Sequence, residues 1–398
     1  MPSTAATPSD RASVHPTRDR AAIHVPSAPA TLTAFARVAL DDLLGRRRRP
    51  ADMEAHLLAA EAWLCRAQDV SGNGGVSYGY SLRGGWRPSY PETSGYVATT
   101  FLRLAAQRHS SYRQRALRIL DWLLAIQNAD GSFANPRYGA DGIVFDTGQV
   151  LFGLVRGHEA TGDPRLLDAA RRAAQWLTRI ADNDRRWTRH EHLDTPHVYN
   201  TRTAWALLLM NALEPDAKRE AVARRNLDWA LAEQRDSGFF DHCAFRAGRA
   251  PFTHTIAYTA RGLLESAVLL GEPRYREAAV RCADATLARL REDGHLPSMI
   301  TPAGHADASS CCLTGNCQFA IVWLRLADLA ARPHYRQAAR RALEHVMSTQ
   351  DLVTADADRR GAIKGSQPVW GRYAPLSYPN WAAKFFIDAM WLCKDAAP

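Results

Sequence analysis

Apolar residues recur at i, i+3, i+4 and i+7 in a series of segments that begins near residue 51, the spacing that lays one apolar stripe along an α-helix. Five segments share the pattern closely: SYRQRALRILDWLLAIQNADGSF from Ser111, RLLDAARRAAQWLTRIADNDRRW from Arg165, AKREAVARRNLDWALAEQRDSGFF from Ala217, RYREAAVRCADATLARLREDGHL from Arg274 and HYRQAARRALEHVMSTQ from His334. AHLLAAEAWLCRAQDVSGNGG from Ala55 is a looser sixth copy. One equivalent position in these copies is Trp63, Trp122, Trp176, Trp229, Ala285 and His345, in steps of 59, 54, 53, 56 and 60 residues. A turn rich in Gly or polar residues usually follows, and then a second, more apolar helix: PETSGYVATTFLRLA, FDTGQVLFGLVRGHEA, YNTRTAWALLLMNAL, FTHTIAYTARGLLESAVLL, CLTGNCQFAIVWLRLADLA and PNWAAKFFIDAMWLC. Continuous apolarity predicts burial on most sides, whereas the first helix of each pair keeps an arginine-rich wet face.

Six hairpins of one outer and one inner helix, with no strand-like segment, predict an all-α (α/α)6 toroid. The structural rival is an open superhelix of stacked pairs, because closure is not written in the sequence. Residues 31–398 are assigned to this single domain. Residues 1–30, rich in Pro, Ser, Thr and Ala without periodicity, are expected to be a disordered extension. An amphipathic stretch from Thr31 to Leu44 leads into the run Arg46 to Arg49, which is read as a solvated helix end.

The outer-helix ends WLLAIQNADGSF, WALAEQRDSGFF and WLCRAQDVSGNGG resemble the QW-type repeat of squalene–hopene cyclases and protein prenyltransferases. As a pattern the resemblance covers about residues 51–398, with Gln and Gly both kept in three copies. The toroid it implies is also that of six-hairpin glycosidases (unsaturated glucuronyl hydrolases), polysaccharide lyases, sugar 2-epimerases and glucuronyl C5-epimerases. The resemblance therefore implies a fold rather than one chemistry.

In such a ring the inner-helix N-termini meet at one mouth. Aligning the inner helices gives the column Thr93, Asp146, Asn200, His254 and Leu313, followed by Ser94, Thr147, Thr201, Thr255 and Thr314. The hydroxyl column reads as helix capping. The first column places a carboxylate, an amide and an imidazole in equivalent slots, which capping alone does not require. Around it lie Glu92, Tyr96, Gln149, Tyr199, Arg202, Tyr258, Asn316, Trp381 and Lys384. Aromatic faces with convergent amides and charges suit a carbohydrate.

Two proton-transfer chemistries fit this set. Glu92 and Asp146 form a carboxylate pair suited to glycoside hydrolysis. Alternatively, His254 or Tyr258 moves a proton beside a uronate carboxylate that Asn200 and Arg202 neutralise. The assignment is Asp146, His254 and Tyr258 for proton transfer. Glu92, Tyr96, Gln149, Tyr199, Asn200, Arg202, Asn316, Trp381 and Lys384 are assigned to substrate binding. The expected enzyme is a lyase, hydrolase or epimerase of a glycan that needs no cofactor. The alternative from another class is a non-catalytic glycan-binding protein that uses the same pocket.

A net charge of +9, with only four lysines among fifty basic residues, leans towards an acidic partner. The arginines are scattered and no nucleic-acid module is present, so nucleic acid is not the expected partner. No long uncharged apolar run predicts a membrane span. Seven cysteines, an odd number, and the absence of a secretory signal read as a cytoplasmic chain with reduced thiols. The competing isoprenoid reading finds neither DxDD nor DDxxD. It does find Asp241, Cys243 and His305, a trio that could bind zinc as prenyltransferases do. Cys311, Cys312 and Cys317 are read as small buried thiols.

Overall fold

The computed structural model describes residues 28–182 and 186–395. Six hairpins follow one another, each an outer and an inner helix. The outer helices are α2 (Met53–Asp69), α4 (Ser111–Ile126), α6 (Pro164–Arg179), α8 (Ala217–Ala232), α10 (Pro273–Leu287) and α12 (His334–Thr349). The inner helices are α3 (Pro91–Gln107), α5 (Val144–Thr161), α7 (Thr201–Leu213), α9 (Thr253–Leu270), α11 (Leu313–Leu329) and α13 (Asn380–Asp395). Each inner helix packs on the next, and α13 packs on α3, so the ring is closed. This is the (α/α)6 toroid and excludes the open superhelix. Preceding the ring, α1 (Ala28–Leu43) takes up the amphipathic stretch and begins ahead of Thr31. Residues 1–27, most of the segment read as a disordered extension, lie outside the described residues.

The helices begin where the sequence supplies N-terminal signals. Proline stands at the first turn of α3, α6 and α10, where its missing N–H costs nothing. Asp163 accepts from the Arg165 N–H, and Asp216 from those of Lys218 and Arg219, satisfying orphan donors of α6 and α8. Inner helices approach closely where side chains vanish. A Cβ on Gly95 of α3 would stand 2.5 Å from Cα of Val150, and one on Gly153 of α5 would stand 2.5 Å from the Gly95 carbonyl oxygen.

The glutamine of the repeat is a staple between neighbouring outer helices. Gln68 Nε2 donates to the carbonyls of Gly74 and Arg115, Gln127 to Gly131 and Ala169, and Gln234 to Gly238 and Ala278. Gln350, in the last outer helix's C-terminal turn, donates to His56 of the first hairpin and to Gly361, and so closes the ring. Arg115, Arg172 and Arg281 in turn donate to the oxygen of the first three glutamines. Part of the arginine excess is therefore architectural.

Strands of two or three residues occur in the connecting loops, contrary to the expectation of none, because such short pairings leave no periodicity to read. Gly79–Ser81 pairs with both Gly85–Trp86 and Ser377–Pro379, tying the first hairpin to the last. Arg46–Arg49 lies just beyond α1 rather than in a helix, and Arg48 is held to Asp351 at 2.8 Å. Among the described residues no helix is long and apolar enough to cross a membrane.

Candidate active site

The inner-helix N-termini and the loops before them enclose a cavity of about 530 Å³ at one mouth of the ring. Seven of the residues singled out from the sequence line it. Glu92 and Tyr96 come from the first turns of α3, Asp146 from α5, His254 and Tyr258 from α9, Trp381 from α13, and Tyr199 from just before α7. Inner helices start here because each follows a loop that crosses the mouth, so their first-turn side chains converge.

Two carboxyl groups meet in this cavity. Tyr90 donates its hydroxyl to Oδ2 of Asp146 at 3.4 Å and accepts from Nδ2 of Asn135 at 2.7 Å. Burial pushes Glu92 up to about 7, against the hydrogen bond from Tyr90 and the positive charge of Arg202. Asp146, buried and facing the Glu92 charge, is raised well above the carboxylate range. The site thus holds a carboxylic acid next to a group that exchanges its proton near neutrality. Burial, with the Arg202 charge added, holds the His254 imidazole down at about 3, so the ring is neutral. No described residue offers a hydrogen bond to its Nδ1. The rings of His254 and Tyr258 lie 4.4 Å apart, and burial keeps the Tyr258 phenol protonated.

The walls are aromatic. Tyr78, Tyr138, Phe245, Phe252 and Tyr373 join Tyr199 and Trp381, and the Trp381 indole is fixed by donating to Tyr373 Oη at 2.7 Å. Three exposed arginines, Arg137, Arg246 and Arg372, stand among them. Arg137 lies over the Tyr78 ring at 5.2 Å, and Arg372 is 3.6 Å from Asp307. Sequence reasoning missed these arginines because they come from loops outside the repeat register.

The other five assigned residues lie elsewhere. Arg202 and Lys384 line a second cavity of about 570 Å³, and Tyr96 is shared between the two. Arg202 donates to Gln149 Oε1 at 2.5 Å, and its guanidinium faces the rings of Tyr258 and Phe152 at 4.9 and 5.2 Å. Lys384 pairs with Asp388. The expected neutralisation of a substrate carboxylate by Asn200 and Arg202 is therefore not the geometry found. Arg202 acts on the first cavity only through its field, and the Asn200 amide is held by Glu191 at 2.6 Å. Asn316 donates to the Gly294 carbonyl, the glycine bond that glutamine makes at other junctions, and to the Ala342 carbonyl, one turn along α12 from the acceptor glutamine would use. It is a staple on an inner helix and does not line the cavity.

The suggested zinc trio does not bring its ligand atoms together. Asp241 is paired with Arg235 at 2.5 Å, the buried Cys243 thiol lies 3.4 Å from Thr259 Oγ1, and His305 is exposed. Cys311, Cys312 and Cys317 are all fully buried.

The fold and its mouth define an α/α toroid. The model of the squalene–hopene cyclase C-terminal domain family matches residues 105–271, a span that contains the Gln127 and Gln234 staples. No curated protein sequence matches the chain. Among solved structures, an unsaturated glucuronyl hydrolase specific for heparin is similar at a TM-score of 0.70 and 15% identity, covering 86% of this chain and 97% of that one. The unsaturated glucuronyl hydrolase of Bacillus sp. GL1, responsible for glycosaminoglycan degradation, gives 0.66 and 16%, covering 85% and 96%. Cellobiose 2-epimerase of Bacillus thermoamylovorans B4167 gives 0.65 and 10%, covering 90% and 99%. At these identities the likeness is one of fold.

Proposed function

We propose that this protein is an enzyme acting on a carboxylate-bearing glycan by proton transfer at Asp146 and Glu92. The observation that carries the reading is the pair of carboxyl groups gathered by Tyr90 in an aromatic cavity, with Asp146 raised well above the carboxylate range and Glu92 up to about 7. Asp146 is the acid that protonates the leaving oxygen or a polarised double bond. Glu92 is the base that takes a proton from water. Aromatic faces hold sugar rings, and Arg137, Arg246 and Arg372 attract the carboxylate.

Compared with the expectation from sequence, Glu92 moves from binding to catalysis. Similar folds in unsaturated glucuronyl hydrolases, one of them crystallised with the acidic disaccharide dGlcA-GalNAc6S, support a uronate substrate and hydrolysis. A second reading, epimerisation or elimination, rests on position alone: His254 Nδ1 has no hydrogen-bond partner among the described residues, and its ring lies 4.4 Å from that of Tyr258. The cavity's two carboxyl groups and three arginines do not favour an isoprenoid substrate, which is apolar beyond its diphosphate.

The test is incubation with unsaturated uronyl disaccharides and with intact uronate oligosaccharides, followed by ultraviolet absorbance and product stereochemistry. Loss of the enol-ether absorbance supports hydrolysis, and its appearance from intact oligosaccharide supports elimination. Inversion at one carbon without cleavage supports epimerisation. Binding without turnover of any uronate would overturn the enzymatic reading.

A further inference from the structure

Outside the cavity, one junction of the ring departs from the repeat in three places at once. The tryptophan slot of the outer helices, filled by Trp63, Trp122, Trp176 and Trp229, is held in α12 by His345. The structure verifies the equivalence. A Cβ on Gly74 would meet the Arg118 carbonyl and Cβ of Trp122, and one on Gly294 would meet the Arg341 carbonyl and Cβ of His345. The residue after that glycine is Phe239 at one junction and Ser132 at another, but His295 here. This junction also lacks the glutamine staple, which Asn316 replaces from α11. Where other junctions carry tryptophan or alanine and phenylalanine, serine or glycine, this one has two imidazoles, with Cys311 beside them.

The three side chains are buried, with His295 8%, His345 5% and Cys311 0% exposed. One ring nitrogen of each histidine and Sγ of Cys311 lie within 4.8 Å of one another. The Nε2 atoms of both histidines are buried and have no hydrogen-bond partner among the described residues. A buried imidazole nitrogen without a partner is costly unless something else satisfies it. We propose that His295, Cys311 and His345 bind one divalent transition-metal ion of the zinc class.

The surroundings orient these ligands as a metal needs. Nδ1 of His345 lies 3.0 Å from the Asp293 carbonyl oxygen, which fixes the proton there and leaves Nε2 as the lone-pair nitrogen. Burial holds His345 down at about 4 and lowers His295, so both rings are neutral, the ligating form. Burial pushes the Cys311 thiol up to about 12, while the Leu296 N–H favours its thiolate. Its S–H now donates to Oδ1 of Asn316 at 3.0 Å. On binding, that S–H bond breaks, the proton leaves to solvent and a metal–sulfur bond forms, with no change of oxidation state. Ligand atoms about 3.5 Å apart follow from tetrahedral bonds of about 2.0–2.3 Å, so the cluster contracts slightly on binding.

Two neutral imidazoles and one thiolate suit zinc better than magnesium or calcium, which prefer oxygen. Three ligands leave a fourth position for water. His345 also lines a basin of about 920 Å³ bounded by α12 and residues 49–53, which gives an ion a route in. The charge of Arg47 opposes the ion and that of Asp293 favours it. Because the ligands come from the loop after α10, the short strand Cys311–Cys312 that leads into α11, and α12, the ion clamps a junction that has no glutamine. This role is independent of the reaction at Asp146.

The test uses the full chain without a histidine tag. Elemental analysis should find about one zinc ion per chain. Zinc added to chelated protein at about a hundredfold its Kd should raise Tm by roughly 5 °C. Cobalt(II) should give a thiolate charge-transfer band that survives in Cys65→Ser and is lost in Cys311→Ser and His345→Gln. Folded wild-type protein with neither metal, cobalt band nor Tm shift would overturn the proposal. So would a cobalt band that persists in Cys311→Ser. Should either variant fail to fold, the wild-type cobalt spectrum and Tm shift still decide.

Discussion

The hydroxyl of Tyr90, at the start of α3, lies 3.4 Å from Oδ2 of Asp146, in the first turn of α5, and joins two consecutive hairpins through a single hydrogen bond. It also bears on Glu92 and receives Asn135, so one phenol organises both carboxyl groups.

Asp146→Asn removes the proposed acid while keeping its size. Turnover should fall by roughly 10²–10⁴-fold, the range of general acid–base contributions. Tyr90→Phe should cost less and shift the pH optimum. Circular dichroism and melting curves should match wild type. If Asp146→Asn unfolds instead, the residue is a structural cap.

Glu92 gives a pH signature. Activity should rise as Glu92 loses its proton near pH 7 and fall at higher pH as Asp146 loses its own. Burial makes the folded chain hold the Glu92 proton more tightly than the unfolded chain does. The associated stability is complete below the ordinary value of 4.5 and is lost as pH rises through about 7. Glu92→Gln avoids that loss. The rise corresponds to about 3 kcal/mol at most, so the variant should be inactive and more stable than wild type at alkaline pH, with little difference in acid. Urea titrations at the two extremes measure it.

Arg137, Arg246 and Arg372 are exposed, so each should act weakly and through binding. Alanine at any one should raise KM for a uronate glycan by up to about fivefold, the equivalent of ~1 kcal/mol, with kcat nearly unchanged. The effect should shrink in salt. Steady-state kinetics at two ionic strengths would separate this from a loss of fold.

Asp42 holds α1 to the ring. Its carboxylate, 4% exposed, bonds Lys364 Nζ at 2.7 Å, Gln367 Nε2 at 2.7 Å and the Val369 N–H at 2.7 Å. Asp42→Ala leaves the buried Lys364 ammonium unpaired and should destabilise the chain by about 3–5 kcal/mol in chemical denaturation. Asp42→Ala with Lys364→Met should recover much of that loss.

The sequence by itself determined the six hairpins, which helix of each pair is buried, and the mouth where Asp146, His254 and Tyr258 meet. These follow from local periodicity and repeat register, which fix a residue's face and its place along a helix. Depth and reach needed the tertiary structure. Gln149 is one turn past Asp146, about 4.5 Å further down at ~1.5 Å per residue, where it accepts from Arg202, which lines the second cavity and not the first. Asn316, in the same row of helix starts, spends its amide on the Gly294 and Ala342 carbonyls. Loops carry no register, so Arg137, Arg246 and Arg372 became part of the mouth only once the ring had closed. The convergence of His295, Cys311 and His345 likewise joins three separate elements, and no spacing along the chain encodes a contact made across a ring.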